Sequence, residues 1–292
     1  MAASALLLSG LATLVYAADW SYSGANGPDH WGATCRTGKR QSPVDLARSA
    51  AAEGHFHDLA LSNYDQAVAV NVTNNGHTVR LDVEQPCSML LAAGGLPGLF
   101  RLEQIHFHWP SEHTLDGNRW PLEIHLVHYD LKYSSIAEAV KYRWGVAVLA
   151  ILCHEDELGG EALGPLLRAV GQVERQVGAT TRLPQRQAPA SFLPRDLARW
   201  YRYEGSLTTP GCDETVVWTV LRASLPVSRA QIAHFQRVLS KHGRLQANNR
   251  PLQPLNGRAV HLQDGPWNAA AAMPETRTAG LAALVALLAA TL

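Results

Sequence analysis

Alternating apolar and polar positions predict a series of β-strands along the chain. Gln66–Val72 and His77–Val83 both alternate with a period of two, and Asn75–Gly76 between them is a strong short signal for a β-hairpin. The same pattern predicts strands at Arg101–Trp109 and Leu122–Tyr129. A fifth segment, Gly145–Leu152, is almost wholly apolar, which is typical of a strand buried on both faces.

Apolar residues at helical spacing occur in two later segments. They are Leu163, Leu166, Val170 and Val173, and then Ile232, Phe235 and Leu239. Ser228 with Gln231 predicts a capping box at the start of the second helix. Many short strands with few helices favour a mainly β (α+β) fold with one large sheet and peripheral helices. No Gly/Ser-rich linker, charge run or internal repeat divides the chain, so a single domain is expected.

The strand pattern places three histidines in one phase. Because successive side chains of a strand point to opposite faces, Gln104, His106 and His108 share a face. Glu123 and His125 follow the same phase in the next predicted strand. If these strands are neighbours, the three imidazoles converge on one point.

This arrangement favours a catalytic zinc site. Three neutral imidazoles with an open fourth position are typical of such sites, and outer groups such as Gln104 and Glu123 orient the rings. A single His-x-His arises often by chance in a chain with 13 histidines. The third histidine in phase, with a polar partner in each strand, is what favours metal binding over chance.

Composition narrows the class of partner. Hydrophobic residues make up 47% of the 292 residues, which is ample for a large core, and the formal net charge is zero. The chain has neither a basic stripe nor an acidic tail, which argues against a nucleic-acid partner and favours a small or neutral one.

Both termini have segments typical of the secretory pathway. Residues 1–17 form an apolar run that ends in small residues, which predicts a cleaved signal peptide. Residues 268–292 combine small residues, a polar spacer and an apolar tail shorter than the roughly 20 residues that span a bilayer. This layout predicts a GPI-attachment signal with Asn268 as the attachment residue, and a buried C-terminal helix is the alternative. The expected location is the extracellular face of the plasma membrane.

Secretion changes the interpretation of two other features. The four cysteines are expected to pair in an oxidising compartment, and the sequence by itself allows three connectivities. Asn71-Val72-Thr73 is an acceptor for N-glycosylation, with an unmodified strand residue as the alternative.

At the level of whole motifs, the chain resembles the α-class carbonic anhydrases from Trp20 to about Leu262. The motifs that carry the resemblance are Asn26–Trp31, Gln41–Pro43, Asn74–His77, Gln104–Trp109, Ser111–Thr114, Glu123–His128, Gly205–Pro210 and Arg250–Leu255. With its two terminal signals, the chain is most similar to the membrane-anchored extracellular types IV and XV. The resemblance implies a catalytic domain over residues 19–265, built on a twisted, mostly antiparallel sheet of about ten strands.

The resemblance also implies a set of metal and disulfide residues. Zinc would bind to His106, His108 and His125, with Gln104, Glu123 and Asn248 as the outer groups that hold the rings. Cys35 and Cys212 stand at the positions of the disulfide in extracellular members. Cys87 and Cys153 have no implied partner, and a buried thiol is expected for Cys153.

Roles in substrate handling follow from the same resemblance. Thr208 and Glu112 would orient the attacking hydroxide, Thr209 would position bicarbonate, and His77 would carry protons to solvent. An apolar pocket for carbon dioxide would be formed by Val127, Val148, Leu207 and Trp218. For these four residues ordinary core packing is an equal alternative, and for His77 the alternative is a surface turn.

The function implied is the zinc-dependent, reversible hydration of carbon dioxide to bicarbonate. An acatalytic binding ectodomain is the alternative from another class, although such relatives usually lose a zinc histidine and this chain keeps all three. A zinc esterase using the same site is a third possibility. Only Pro110 and Ser111 separate Trp109 from Glu112, fewer residues than most relatives have, and the sequence does not decide whether this shortening weakens the contact between Glu112 and Thr208.

Overall fold

A computed structural model describes residues 19–161 and 163–266 of the chain. The predicted signal peptide (residues 1–17), Asn268 and the predicted GPI signal (residues 268–292) lie outside the described residues. In the part that is described, no helix is long and apolar enough to cross a membrane.

The described residues form seventeen β-strands and four α-helices. The strands are β1 (Asp45–Leu46), β2 (Ala52–Glu53), β3 (Leu59–Ser62), β4 (Val70–Asn74), β5 (Val79–Val83), β6 (Leu90–Ala93), β7 (Phe100–His108), β8 (Thr114–Leu115), β9 (Asn118–Arg119), β10 (Leu122–Asp130), β11 (Val146–Glu155), β12 (Thr180–Arg182), β13 (Arg199–Gly205), β14 (Val216–Val227), β15 (Leu239–Ser240), β16 (Gly243–Arg244) and β17 (His261–Asp264). The helices are α1 (Ala33–Thr37), α2 (Ile136–Ala139), α3 (Leu163–Val173) and α4 (Arg229–Phe235), with 3₁₀ turns at Gly24–Asn26, Pro28–His30, Arg48–Ala50 and Pro189–Phe192.

A single large sheet dominates the fold, as predicted. It has twelve strands, ten of which follow the order β12-β4-β5-β7-β10-β11-β14-β13-β17-β2, while β6 joins β3 to the edge of β7. Most neighbours are antiparallel, and the parallel pairs within this sheet are β11 with β14 and β17 with β2. The mainly β architecture with peripheral helices therefore agrees with the sequence, and the strand count is two above the ten expected.

The first predicted hairpin is present with shorter strands. The strand expected from Gln66 begins at Val70, and the one expected from His77 begins at Val79. The Asn75 side chain accepts hydrogen bonds from the backbone nitrogens of His77 (2.9 Å) and Thr78 (2.8 Å), and Gly76 has φ +86°. Because these amides bond to a side chain and not to the ladder, the turn takes up residues that alternation assigned to the strand.

Both predicted helices are present, and the second is shorter than its pattern suggested. Ser228 and Gln231 form the predicted capping box of α4. The helix ends at Phe235, and Leu239 lies in β15, where its backbone nitrogen donates to Glu174 O at 2.7 Å. Tertiary pairing therefore replaced the last predicted helical turn.

Two apolar cores cover the two faces of the sheet. Ile105, Phe107 and Trp109 of the β7 segment pack with α3 on one face. On the other face, Val127 and Val148 pack with Trp218. All nine residues of β10 are buried, so the strand that carries Glu123 and His125 lies in the centre of the molecule. This position holds polar side chains of β10 in a rigid and largely dry environment.

The expectation that the cysteines pair holds for two of the four. Cys35 and Cys212 form a disulfide across 177 residues, which confirms the pairing that the resemblance implied. Cys87 and Cys153 are free and buried, as expected for Cys153. Asn71 is exposed on β4, so it is accessible, and its glycosylation remains a prediction.

Candidate metal centre

The register between β7 and β10 brings the three histidines together. His125 lies opposite His106, and Glu123 lies opposite His108, in antiparallel pairing. The ring centroids of the three histidines are 4.6 to 5.0 Å apart. One nitrogen from each ring lies within 4.8 Å of the other two. The convergence predicted from strand phase is therefore present.

The remaining nitrogen of each ring is held by an oxygen. His106 Nδ1 contacts Gln104 Oε1 at 2.9 Å, His108 Nδ1 contacts the Asn248 carbonyl at 2.8 Å, and His125 Nε2 contacts Glu123 Oε1 at 2.7 Å. Carbonyl and carboxylate oxygens accept hydrogen bonds, so these three nitrogens carry the protons. The lone pairs then lie on His106 Nε2, His108 Nε2 and His125 Nδ1, which face one another.

These lone pairs fit a zinc ion. His108 Nε2 is buried and has no hydrogen-bond partner among the described residues, which is costly unless another group binds to it. Three neutral imidazoles, each oriented by an outer oxygen, are the usual donors of a catalytic zinc site with an open fourth position. A second group of possible ligands, His113, Glu123 and His125, is already joined by hydrogen bonds and is better described as the support of the centre.

The environment keeps the imidazoles neutral. Burial lowers the pKa of His106 well below its usual value, and the neighbouring histidines lower it further. Burial also lowers the pKa of His108 to about 4 and lowers that of His125, against the opposing effect of Glu123. Neutral rings can donate lone pairs without first losing a proton, so the site is prepared for a cation at neutral pH.

Glu123 is the most heavily bonded group of the centre. Its Oε2 accepts from the backbone nitrogens of Glu112 and His113, both at 2.8 Å, and its Oε1 accepts from His113 Nδ1 and His125 Nε2, both at 2.7 Å. Burial raises the pKa of Glu123, but the two histidines outweigh burial and hold the pKa well below its usual value. The carboxylate therefore stays ionised and fixes the orientation of His125.

The hydrogen bonds that support Glu123 and His125 extend to residues that the sequence did not predict. His113 Nε2 contacts the Tyr203 hydroxyl at 2.7 Å, and the same hydroxyl oxygen is 2.9 Å from Ser42 Oγ. The motif Ser111–Thr114 placed His113 beside Glu112, but nothing in the sequence indicated that Tyr203, ninety residues away, completes the chain.

Asn248 connects the metal centre to the first hairpin. Its carbonyl holds His108, while its side-chain oxygen accepts from Trp109 N at 2.7 Å. Its side-chain nitrogen donates to the carbonyls of Phe107 at 2.9 Å and His77 at 3.1 Å. The backbone of His77 is therefore one side chain away from a candidate metal ligand.

Glu112 lies beside the candidate ligands despite the short connection from Trp109. Its Oε1 accepts from Arg250 N at 2.9 Å, and its Oε2 is 3.5 Å from His108 Nε2. Burial raises the pKa of Glu112 to about 7, while His125 and the Arg250 amide act in the opposite direction. The Glu112 backbone nitrogen donates to Glu123 and its Oε1 accepts from Arg250 N, so the segment is anchored from two sides, while Glu112 Oε2 has no hydrogen-bond partner among the described residues and the contact with Thr208 stays a prediction.

The four predicted pocket residues lie in one apolar cluster. Val127, Val148 and Trp218 are buried in it, and the partly buried Leu207 packs against it. The Trp218 ring lies 4.9 Å from that of His125, so the cluster borders the histidines. Thr209 is partly buried beside Thr208.

His77 occupies a more peripheral position than the other predicted site residues. Its ring stacks on Trp20, with centroids 3.6 Å apart and planes within 5°. Burial lowers the pKa of His77 to about 4, with further lowering by Lys241 and His242 and opposition from Asp19. The ring borders a cavity of about 440 Å³ that Tyr22 and His242 also line.

Two charged residues near the histidines were not predicted. Arg80 of β5 lies directly opposite His106, and its charge lowers the pKa of that histidine. The β7–β10 register shifts between Val127 and His128, which leaves Glu103 as an extra residue beside Gln104. Such a β-bulge cannot be located from alternation, although the charge at Arg80 was visible in the sequence.

Most of the chain matches a single known protein family. Residues 26–264 match the model of the eukaryotic-type carbonic anhydrase domain. The chain belongs to the carbonic anhydrase family. Its similarity extends over nearly all of the described residues and includes every strand of the large sheet.

Individual carbonic anhydrases match over most of their length. The chain is 36% identical to carbonic anhydrase 3 of Homo sapiens, over 84% of this chain and 98% of that one. It is 36% identical to carbonic anhydrase 4 of Oryctolagus cuniculus, over 80% and 79%, and 35% identical to carbonic anhydrase 15 of Mus musculus, over 88% and 87%. Membership with this coverage supports carbonic anhydrase activity, the hydration of carbon dioxide, for the chain.

Proposed function

We propose that the protein is a zinc-dependent carbonic anhydrase of the cell surface, in which His77 carries protons to solvent. The observation that carries the proposal is the convergence of three imidazole lone pairs, each fixed by an oxygen on the other ring nitrogen. A binding domain has no need of three neutral, oriented donors around one open point. Catalysis is therefore favoured over the acatalytic alternative.

His106, His108 and His125 would hold the metal ion. Zinc bound to three neutral ligands supplies Lewis acidity that lowers the pKa of water at the open position. The protein keeps the rings uncharged. It also places the Glu123 carboxylate on Nε2 of His125, the ring nitrogen that does not face the metal position. A carboxylate bound directly to the metal would reduce its effective charge.

Thr208 and Glu112 would orient the attacking oxygen. When the Thr208 hydroxyl donates to Glu112, its oxygen is left to accept a hydrogen bond, so only a group with a proton to donate is favoured beside it. This arrangement aims a lone pair of the attacking oxygen at the substrate. Thr209 would contact the bicarbonate product.

The apolar cluster would receive carbon dioxide. Val127, Val148 and Trp218 present hydrocarbon surface next to His125, and an uncharged linear molecule loses little solvation there. Bicarbonate carries a charge and is less stable against the same surface. The apolar cluster therefore favours binding of carbon dioxide and release of bicarbonate.

Regeneration of the site requires a proton to leave, and His77 would accept it. Histidine is the side chain whose ordinary pKa lies near neutrality. In the stack on Trp20 the pKa of His77 is about 4, so we expect the protonated ring to leave the stack for solvent, where its pKa returns toward the ordinary value. The motion would release the proton outside the centre.

The location at the cell surface is supported by several independent features. The predicted signal peptide, the GPI-like tail and the acceptor at Asn71 all belong to the secretory pathway. The Cys35–Cys212 disulfide is consistent with an oxidising compartment. Carbonic anhydrases 4 and 15 are among the relatives.

Stopped-flow measurement of carbon dioxide hydration tests the catalytic proposal. Purified protein should accelerate hydration, a zinc chelator should abolish the acceleration, and added zinc should restore it. His108→Ala should remove the activity, whereas His154→Ala is a matched control because His154 lies at the end of β11 and bonds to Ser224 of β14. A folded, zinc-loaded protein without activity would favour the acatalytic alternative.

Phospholipase treatment of intact cells tests the location. A phosphatidylinositol-specific phospholipase C should release the protein into the medium, and Asn268→Gln should shift attachment to a neighbouring small residue or reduce surface display. Retention of the wild-type protein after treatment would contradict a GPI anchor.

A further inference from the structure

A second cavity lies on the other side of the sheet from the metal centre. Its volume is about 590 Å³, within the range of pockets that hold small organic ligands. Arg202 and Val217 line it, and each is the strand neighbour of a residue, Tyr203 or Trp218, whose ring contacts His113 near the centre. Because side chains alternate along a strand, Arg202 and Val217 point to the opposite face.

Arg202 is a buried cation that forms no salt bridge with any residue that the structure describes. It lies in β13 between Thr219 of β14 and His261 of β17, and only 5% of its surface is exposed. None of its three guanidinium nitrogens has a hydrogen-bond partner on the described part of the protein. The guanidinium carbon lies over the Phe56 ring, 5.8 Å from its centroid. Burial lowers the pKa of Arg202 to about 9.

An unpaired buried guanidinium is unusual in a folded protein. Arginine is almost never fully buried unless it is paired, and its donors lose their hydrogen bonds to water on burial. The Thr219 hydroxyl, on the strand residue opposite Arg202, is also buried and has no hydrogen-bond partner within residues 19–161 and 163–266. An acceptor group in the cavity would satisfy donors that the protein leaves free.

Other cationic side chains also line the cavity. Lys39 is exposed at the cavity, and Arg258 is fixed by four hydrogen bonds to backbone carbonyls, with Glu214 outside the lining as a nearby opposite charge. The acid in the lining, Glu204, is already paired at 2.8 Å with both Arg40 and Arg143. The lining therefore has a net positive charge that favours an anionic ligand.

The geometry points to a second ligand site here, at which Arg202 binds a carboxylate-class oxyanion. The planar guanidinium matches the two oxygens of such a group, and the remaining volume is bordered by apolar surface. Phe56, Trp144 and Val217 supply that surface, which suits a ligand with a small hydrocarbon body. None of the candidate metal ligands lines the cavity, although Tyr203, which contacts His113, does.

Binding of 4-fluorobenzoate tests the site. This carboxylate is followed by ¹⁹F NMR with the zinc-loaded protein, together with the backbone amide shifts of Gly94 and Gly95, which adjoin Arg202 Nη2 and Phe56 respectively. We expect saturable binding and Arg202→Met to weaken it about tenfold or more, as loss of a charge-assisted bidentate contact should. Arg175→Met is the matched control because Arg175 is 89% exposed and lies outside the cavity lining.

A competition experiment and a second variant complete the test. Competition by bicarbonate would show that the oxyanion alone is sufficient, and its absence would show that the hydrocarbon body is required; both support the site. Lys39→Glu, at an exposed lining position, should weaken binding several-fold and decides the matter if Arg202→Met does not fold. Equal binding by Arg202→Met and Arg175→Met, or by Lys39→Glu and Arg175→Met in that case, would overturn the inference.

Discussion

Replacing Glu123 by glutamine removes the group that holds the metal centre together. The Glu123 carboxylate accepts four hydrogen bonds, two from backbone amides and two from the rings of His113 and His125. Glutamine has the same shape but only one acceptor oxygen, since the other position becomes an NH₂ group. Whichever way the amide turns, two buried donors face a donor in place of an acceptor.

The structure allows the size of the effect to be estimated. If the glutamine oxygen stays with the imidazoles, the backbone nitrogens of Glu112 and His113 lose their acceptor. Each buried donor without a partner costs about 1–3 kcal/mol, so the free energy of unfolding should fall by about 2–6 kcal/mol. Loss of an outer partner of a metal-binding histidine typically weakens metal affinity by about 10- to 100-fold, and we expect that range for zinc.

Two measurements check this prediction. Zinc affinity is obtained by competition with a chromophoric chelator, and stability by urea unfolding of the metal-free protein followed by circular dichroism. Glu103→Gln is the matched control, because Glu103 is a half-buried acid in β7 that bonds to none of the three candidate ligands in the described structure. A zinc affinity for Glu123→Gln within twofold of wild type, with unchanged stability, would refute the reasoning.

Three other predictions concern the surroundings of the centre. Trp20→Ala should raise the pKa of His77 from about 4 toward 6.5, because burial is the largest cause of its lowering; an NMR titration that still gives about 4 would contradict this. His128 is buried with a pKa of about 4 against 6.5 for the ordinary side chain, so the unfolded state takes up a proton first as the pH falls. The contribution of His128 to the free energy of unfolding, about 3 kcal/mol, is present above pH 6.5 and should be lost as the pH falls from 6.5 to 4. In urea unfolding, the variant His128→Gln should lack this part of the pH-dependent loss. Replacing both Cys35 and Cys212 by serine should lower the free energy of unfolding by up to about 5 kcal/mol in the chain-entropy account, and a loss below about 1 kcal/mol would be inconsistent with it.

The central part of the site could be predicted because it depends on the two-residue period of strands. Gln104, His106 and His108 share a face whatever the tertiary structure, and His125 joins them once β7 and β10 are neighbours. The hairpin at Asn75 was predictable for a similar reason, since its turn residues act locally. These features depend on short-range geometry.

Other features depend on contacts between distant residues and left no local signal. The bulge at Glu103 changes the phase of β7 without changing its composition. Tyr203 joins the support of His125 through a partner ninety residues away, and α4 ends early because Leu239 pairs with a different part of the chain. Glu112, after the shortened segment, is held by contacts with Arg250 and Glu123, which lie 138 and 11 residues further along the chain.

The central claim is that three imidazoles and no other protein group hold one zinc ion. A crystal structure of the zinc-loaded protein, with anomalous scattering measured at the zinc edge, tests this most directly. We predict a single peak about 2.0–2.1 Å from His106 Nε2, His108 Nε2 and His125 Nδ1, with a non-protein oxygen in the fourth position. A peak elsewhere, or a fourth ligand from the protein such as Glu112, would contradict the account.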